Sequence, residues 1–162
     1  MTTLKVGDKA PLFSGLDQNG VAHKLEDYSG KKLVVFFYPK ADTPGCTAQA
    51  CNFRDNYGAF EERGVTVLGV SPDTVDDQKA FKEKYDLPFT LIADADHSVS
   101  ELYGVWDDHE ITTRSGAVRV FTGAYRSTLV IDSEGKVIDA RWGVDPANDT
   151  QAVLDILDGL NA

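Results

Sequence analysis

The amino-acid sequence predicts an α/β fold in which a central mixed sheet is flanked by helices. Three observations predict it. Residues 33–38 and 65–70 have the apolar and β-branched character of strands buried on both faces. Between them, residues 46–63 carry apolar side chains at helical spacing. A hairpin pattern and an amphipathic helix close the chain.

Composition and charge restrict the class of protein. The 162 residues suit one domain with its own core, so we expect residues 1–162 to form a single domain. No apolar run approaches the ~20 residues that span a bilayer, so no membrane partner is expected. The first residues lack the apolar region of a signal peptide, which predicts a cytoplasmic location. The net charge of −10 argues against a nucleic-acid partner, because phosphates attract cationic surfaces.

The first half of the chain is predicted to form a hairpin and then a strand–helix–strand unit. An Asn-Gly turn joins two short strands within residues 12–25. A helix is expected from about Cys46 to Arg63, followed by Gly64 as its terminating glycine. The apolar stripe of this helix consists of Ala50, Phe53, Tyr57 and Phe60. Such a unit makes its two strands parallel and its crossover right-handed.

In the second half, Thr74 and Asp77 resemble a capping box that opens a helix. A short strand at residues 91–93 and a short helix at residues 98–103 follow. Residues 107–117 are polar and show no periodicity, so we expect an irregular surface loop there.

The end of the chain supplies a hairpin and a helix. Strands at residues 125–131 and 136–142 are joined by a turn at residues 132–135. Asn148 or Asp149 is expected to cap the last helix. Its apolar stripe consists of Val153, Ile156, Leu157 and Leu160. This order of elements is that of a thioredoxin-like fold, here with an N-terminal β-hairpin extension.

The first of the two cysteines lies at the start of a predicted helix. The loop of residues 39–45 places Cys46 in the first helical turn, where unpaired N–H groups and the helix dipole favour an anion. Thiols at helix N-termini ionise more readily than free thiols, and the thiolate is the nucleophile. The position therefore predicts a reactive cysteine.

The second cysteine, Cys51, is too far along a regular helix to bond to Cys46. Standard rise and twist put their Cα atoms about 8.6 Å apart, whereas a disulfide tolerates about 4.4–6.8 Å. Either the helix is intact or the two cysteines are bonded. A disulfide between them requires the first turns of the helix to unwind.

The two cysteines are also compatible with a purely structural role. Both could be small core residues, which suits Cys51 better than Cys46, because an exposed Thr-Pro-Gly turn precedes Cys46. A thioredoxin-type dithiol would have Cys-x-x-Cys spacing. Two cysteines without that spacing do not form a metal ligand set with histidines that are far apart in sequence, so we expect no metal and no other cofactor. The histidines are His23, His97 and His109.

Residues 37–55 resemble the active-site segment of the peroxiredoxins. The pattern Pro-x-x-x-Thr-x-x-Cys, from Pro39 to Cys46, is specific to that family. The second cysteine lies five residues after the first, and this spacing resembles that of the bacterioferritin comigratory protein, or peroxiredoxin Q, group. The resemblance covers almost the whole chain and is weakest at residues 107–124, which are a few residues longer than usual. Further similar segments lie at residues 6–13, 69–73, 103–106 and 126–132.

The resemblance implies a role for five residues, matched by position. Cys46 corresponds to the peroxidatic cysteine and Cys51 to the resolving cysteine. Thr43 corresponds to the hydroxyl that bonds the thiolate and the peroxide, Pro39 to the residue that shields the thiolate, and Arg126 to the arginine that completes the pocket. Taken without the resemblance, Thr43 could be a turn residue and Arg126 a surface ion-pair partner.

The function that the resemblance implies is reduction of hydrogen peroxide and organic hydroperoxides. A sulfenic acid on Cys46 would condense with Cys51 to an intramolecular disulfide, which thioredoxin or a similar dithiol would reduce. It also implies a monomer, with a weak dimer as the alternative. Two further functions stay open: a protein thiol–disulfide oxidoreductase without peroxide chemistry, and a non-enzymatic binding module with incidental cysteines. Gln49 is interpreted as a polar residue of the first turn with little functional weight.

Overall fold

The structure is a computed structural model that describes residues 4–38, 44–112, 115–124, 126–142 and 149–160. Within these ranges, no helix combines the length and the apolar character needed to cross a membrane.

Strands and helices alternate through the middle of the described chain, and the four last strands follow one another before the final helix. The strands are β1 (Ser14–Asp17), β2 (Ala22–Lys24), β3 (Lys32–Phe37), β4 (Val65–Ser71), β5 (Thr90–Ala93), β6 (Trp106–Thr112), β7 (Val118–Ala124), β8 (Ser127–Ile131) and β9 (Val137–Trp142). The α-helices are α1 (Pro44–Asp55), α2 (Tyr57–Glu62), α3 (Val75–Tyr85), α4 (Ser98–Leu102) and α5 (Asp149–Leu160), with a short 3-10 helix at Leu25–Tyr28.

The main sheet of the described residues has seven strands in the order β2-β1-β5-β4-β3-β8-β9. Strand β3 is parallel to β4 and antiparallel to β8, and β4 is parallel to β5. Strands β1 and β2 form the predicted N-terminal hairpin at one edge. The prediction of a thioredoxin-like α/β fold with a mixed central sheet is therefore confirmed.

Strand β3 is buried on both faces, as its continuous apolar run predicts. Val34 and Phe36 contribute to a core that contains residues of α1, α2, α3 and α5. Leu33, Val35 and Phe37 contribute to a second core, which contains residues of α4 and of the 3-10 helix. Because successive side chains of a strand point to opposite faces, one strand supplies both layers.

Several local signals have the predicted geometry. Gly64 follows Arg63, the residue that caps the C-terminus of α2, and has a φ of +68°, the left-handed conformation that ends many helices. The hydroxyl of Thr74 accepts a hydrogen bond of 3.2 Å from the backbone N–H of Asp77 at the start of α3. Gly135, in the turn between β8 and β9, has a φ of +84°.

The helix predicted from Cys46 to Arg63 is different in the structure. It begins earlier, at Pro44, and it is interrupted at Asn56, which separates α1 from α2. The side-chain amide of Asn56 donates a 2.8 Å hydrogen bond to the carbonyl of Asn52, one turn back. The same carbonyl also accepts a 3.2 Å hydrogen bond from the backbone N–H of Asn56, so at the break the side chain shares this acceptor with the backbone.

The prediction of an irregular loop at residues 107–117 is wrong for residues 107–112, which belong to β6. Strands β6 and β7 pair antiparallel from Trp106 opposite Ala124 to Thr112 opposite Val118. The ladder joins backbone groups, so a polar segment can form it without an apolar alternation in the sequence. Gly116, with a φ of +85°, lies between the two strands.

The last helix, α5, begins at Asp149, whereas Asn148 lies outside the described residues. Val153 and Leu157 are fully buried, as the predicted stripe requires. Ile156 is only half-buried, and Leu154, which the prediction omitted, is buried instead. The side of α5 that faces the core is therefore slightly rotated from the predicted one.

Candidate active site

Cys46 lies in the first turn of α1, on the sheet face that this helix covers. Pro44 is the first residue of the helix, a position where proline costs no hydrogen bond and its fixed φ favours helix initiation. Cys46 is only 1% exposed and belongs to the core beneath α1. The expectation that a buried core position suits Cys51 better than Cys46 is therefore wrong, because Cys51 is only half-buried.

Arg126 reaches Cys46 because of the strand order. Ser127, the first residue of β8, is opposite Phe37, the last residue of β3. Arg126 therefore lies beside the C-terminal end of β3, from which the chain continues to α1. Its Nη2 donates a hydrogen bond of 3.4 Å to the Sγ of Cys46.

Gln49 lies one turn after Cys46 on the same helix and is 0% exposed. Its Oε1 accepts a 2.9 Å hydrogen bond from Nη1 of Arg126. The guanidinium therefore donates to the sulfur with one nitrogen and to Gln49 with another. The interpretation of Gln49 as a residue of little functional weight is not supported by this contact. Residues three apart on a helix lie on one face, and this spacing from Cys46 could have drawn attention to it.

Asp149, at the start of α5, completes the group and is 2% exposed. Its Oδ2 accepts hydrogen bonds from Nε2 of Gln49, at 2.9 Å, and from Oγ1 of Thr128, at 2.6 Å. Burial raises the pKa of Asp149, while these hydrogen bonds and the positive charges of Arg141 and Arg126 oppose the rise. The sequence predicted Asp149 only as a helix cap.

Cys51 is half-buried on α1, and both cysteines are free thiols. The helix is continuous from Pro44 to Asp55. Regular helix geometry then keeps the two Cα atoms about 8.6 Å apart, too far for a disulfide. Of the five predicted site residues, the structure thus brings Cys46 and Arg126 into contact and puts Cys51 on the same helix. The remaining two, Thr43 and Pro39, lie outside the described residues.

This arrangement can support attack by a thiolate on a small electrophile. The guanidinium of Arg126 carries a permanent positive charge beside the sulfur and presents several donors in a fixed plane. Burial removes bulk water, which strengthens the interaction between the guanidinium and a sulfur or oxygen anion.

Comparisons with known proteins agree with this chemistry. A model of the AhpC/TSA family matches residues 6–140. Peroxiredoxin Bcp of Escherichia coli strain K12 is 44% identical over 137 residues, 85% of this chain and 85% of the relative.

Solved structures are also similar to the chain. A peroxiredoxin Q variant from Xylella fastidiosa has a TM-score of 0.88 at 26% identity and covers 100% of both chains. The bacterioferritin comigratory protein of Xanthomonas campestris, described for its alkyl peroxide reduction activity, has a TM-score of 0.83 at 29% identity, with 93% of this chain and 92% of that chain covered. The chain therefore belongs to the AhpC/TSA family and, within it, to the bacterioferritin comigratory protein and peroxiredoxin Q group of thiol peroxidases.

Proposed function

We propose that this protein reduces hydroperoxides with Cys46 as the peroxidatic thiol and Cys51 as the resolving thiol. The observation that carries the proposal is the 3.4 Å contact between the Arg126 guanidinium and the Cys46 sulfur in a buried site. Thioredoxin or a similar dithiol donor returns the enzyme to its reduced form.

In the first step, the Cys46 thiolate attacks one oxygen of the peroxide. An S–O bond forms and the O–O bond breaks, so the sulfur is oxidised to a sulfenic acid. The second oxygen departs as an oxyanion and takes up a proton to become water or an alcohol. Arg126 stabilises the thiolate and donates to the peroxide oxygens as negative charge moves onto the departing one.

Two residues of the preceding loop belong to the same proposal through the family pattern. The hydroxyl of Thr43 can donate to and accept from the reacting oxygen and sulfur. Pro39 shields the thiolate from water. Both assignments rest on the match of residues 39–46 to the family's active-site pattern.

In the second step, the Cys51 thiol attacks the sulfenic sulfur, an S–S bond forms, and the oxygen leaves as water. The intact helix keeps the two sulfurs apart, so the first turns of α1 must unwind before this step. Unwinding breaks the hydrogen bonds of Gln49 to Arg126 and to Asp149. The disulfide form therefore lacks the arrangement that holds Arg126 against Cys46.

Burial of Cys46 favours a small oxidant over a protein disulfide. A protein disulfide would have to bring its own chain up to a sulfur on a side chain that is 1% exposed, whereas a hydroperoxide is small. The alkyl peroxide reduction described for the Xanthomonas campestris relative supports organic hydroperoxides, besides hydrogen peroxide, as the substrate class.

Peroxide consumption in the presence of a dithiol tests this proposal. We expect steady consumption of hydrogen peroxide with the reduced protein and little reduction of insulin disulfides. Insulin reduction without peroxide consumption would instead identify a protein thiol–disulfide oxidoreductase. A protein inactive in both assays would point to a binding module.

Hydrogen exchange tests the motion that the second step requires. We expect residues 46–52 to exchange faster in the oxidised protein than in the reduced one, because the disulfide cannot form on a regular helix. Strand β3, buried on both faces, serves as the internal control and should stay protected in both forms. Equal protection of residues 46–52, with the disulfide verified by mass, would contradict the unwinding.

The same proposal places the enzyme in the cytoplasm, as a single-domain monomer. Dithiol donors of that compartment keep disulfides reduced, which regeneration of the Cys46–Cys51 pair requires.

A further inference from the structure

We propose that Asp149 is a positioning residue for the peroxide step, because its carboxylate fixes the orientation of the Gln49 amide and thereby holds the Arg126 guanidinium against Cys46. The inference rests on the proposed peroxidase function and adds a residue from the distant end of the chain to it.

The contacts form one continuous hydrogen-bonded relay. Thr128 and Gln49 both donate to Oδ2 of Asp149, at 2.6 and 2.9 Å. The opposite end of the Gln49 amide accepts from Arg126 at 2.9 Å, and Arg126 donates to the Cys46 sulfur at 3.4 Å. The carboxylate is thus connected to the reacting sulfur through Gln49 and Arg126.

The hydrogen bonds of the relay have a fixed direction of donation, because one end can only accept and the other can only donate. An ionised carboxylate only accepts hydrogen bonds, and a guanidinium only donates them. The amide of Gln49 has one donating and one accepting end, so it fits between Asp149 and Arg126 in a single orientation. With the carboxylate removed, the amide can rotate and turn its NH₂ group toward the guanidinium, which leaves two donors facing each other.

Because Gln49 and Asp149 are buried, a change in the orientation of the Gln49 amide costs free energy. Gln49 is 0% exposed and Asp149 is 2% exposed, so bulk water does not replace a lost partner. An amide donor left without an acceptor in such a place costs free energy, and the side chain moves to recover one. A shift of Gln49 would carry the guanidinium of Arg126 away from its contact with Cys46.

The relay also joins three elements at one point. Asp149 begins α5, Thr128 is the second residue of β8, and Gln49 is on α1. These elements are distant in sequence, since Gln49 and Asp149 are 100 residues apart. The start of α5 thus fixes α1, which carries Cys46, relative to β8, which directly follows Arg126.

Alternatively, Asp149 could serve only to start α5. Asp149→Ser distinguishes this structural role from the proposed one. Serine is well accepted at helix starts but is too short to reach Gln49. Asp149→Asn is the conservative variant, because its carbonyl oxygen can take the place of Oδ2 and accept the same two hydrogen bonds. Asp158→Ser is the matched control, a carboxylate at the opposite end of α5 that is exposed and pairs with Arg63.

The experiment is stopped-flow oxidation of each reduced protein by hydrogen peroxide, with the thermal midpoint of every variant measured beside it. We expect Asp149→Ser to lower the second-order rate constant by about tenfold, the lower range for loss of an oriented donor. Asp149→Asn and Asp158→Ser should stay within about twofold of the wild type. In the Arg126→Ala background, Asp149→Ser should cause no further loss, because non-additivity marks residues that act through one another.

Two results would overturn the inference. Asp149→Ser could lower the rate constant equally in the wild-type and the Arg126→Ala backgrounds, or it could leave the rate constant unchanged when Arg126 is present. Should Asp149→Ser not fold, Gln49→Met breaks the same relay and must then show the same dependence on Arg126. If the wild type itself does not react with peroxide, the proposed function fails, and the inference fails with it.

Discussion

We expect the Cys46→Ser protein to lose peroxide reduction completely. A serine hydroxyl in the same place is not ionised at neutral pH and forms no sulfenic acid, so the first step has no nucleophile. We do not expect Cys51 to substitute for Cys46, because Arg126 lies beside position 46, where it donates to the native Cys46 sulfur. The measurement is peroxide consumption by the reduced variant with a dithiol donor present.

Cys51→Ser is the matched control for this result, since it removes the second thiol of the same helix. It should still undergo the first oxidation at a rate near that of the wild type, but it should not turn over with thioredoxin. The reverse pattern, with Cys46→Ser active and Cys51→Ser unable to take the first step, would exchange the two roles.

Replacing Arg126 by alanine should slow the peroxide step by well over about tenfold, as expected for loss of an oriented donor to a developing oxyanion. The variant removes both the charge beside the Cys46 sulfur and the donor to Gln49. The fold should survive, because Arg126 is partly exposed and precedes β8 rather than lying within it. Stopped-flow oxidation of the reduced protein measures the effect.

Two further variants test which property of Arg126 the peroxide step requires. Arg126→Lys keeps a positive charge but lacks the planar fork that donates to sulfur and amide together, so it should recover only part of the rate. Arg63→Ala, which removes a guanidinium paired with Asp158 at the surface, should leave the rate constant unchanged. An unchanged rate in Arg126→Ala would show that the peroxide binds elsewhere.

Local sequence signals predicted much of this fold because each has a direct physical cause. The apolar run of residues 33–38 predicted a strand buried on both faces, and β3 lies between β4 and β8 in the mixed sheet. Gly64 predicted a helix end through its backbone conformation, and Thr74 predicted a helix start through its side-chain cap. The placement of Cys46 in the first turn of a helix was predicted from the loop of residues 39–45, and α1 begins at Pro44.

Features that depend on backbone pairing or on a single side chain were harder to predict. The pairing of β6 with β7 does not require an apolar alternation in the sequence, and residues 107–117 show none, so they were expected to be irregular. The break at Asn56 coincides with a hydrogen bond from its side-chain amide to the carbonyl of Asn52, while the apolar stripe continues across it.

The relay beside Cys46 could not be predicted from sequence at all. Gln49 and Asp149 are 100 residues apart, and their hydrogen bond exists only because α5 packs beside α1. Each residue on its own is explained by a helix, Gln49 as a polar first-turn residue and Asp149 as a cap. Their link to Arg126 is a property of the assembled fold.

We propose that Cys46, held beside Arg126, reacts directly with a hydroperoxide. A single-turnover experiment tests it most directly: fully reduced wild-type protein is mixed with hydrogen peroxide, and the products are identified by mass. We expect an oxidation rate proportional to peroxide concentration and far above that of a free thiol, ending in a Cys46–Cys51 disulfide. Oxidation no faster than that of a free thiol, or a first product on Cys51, would contradict it.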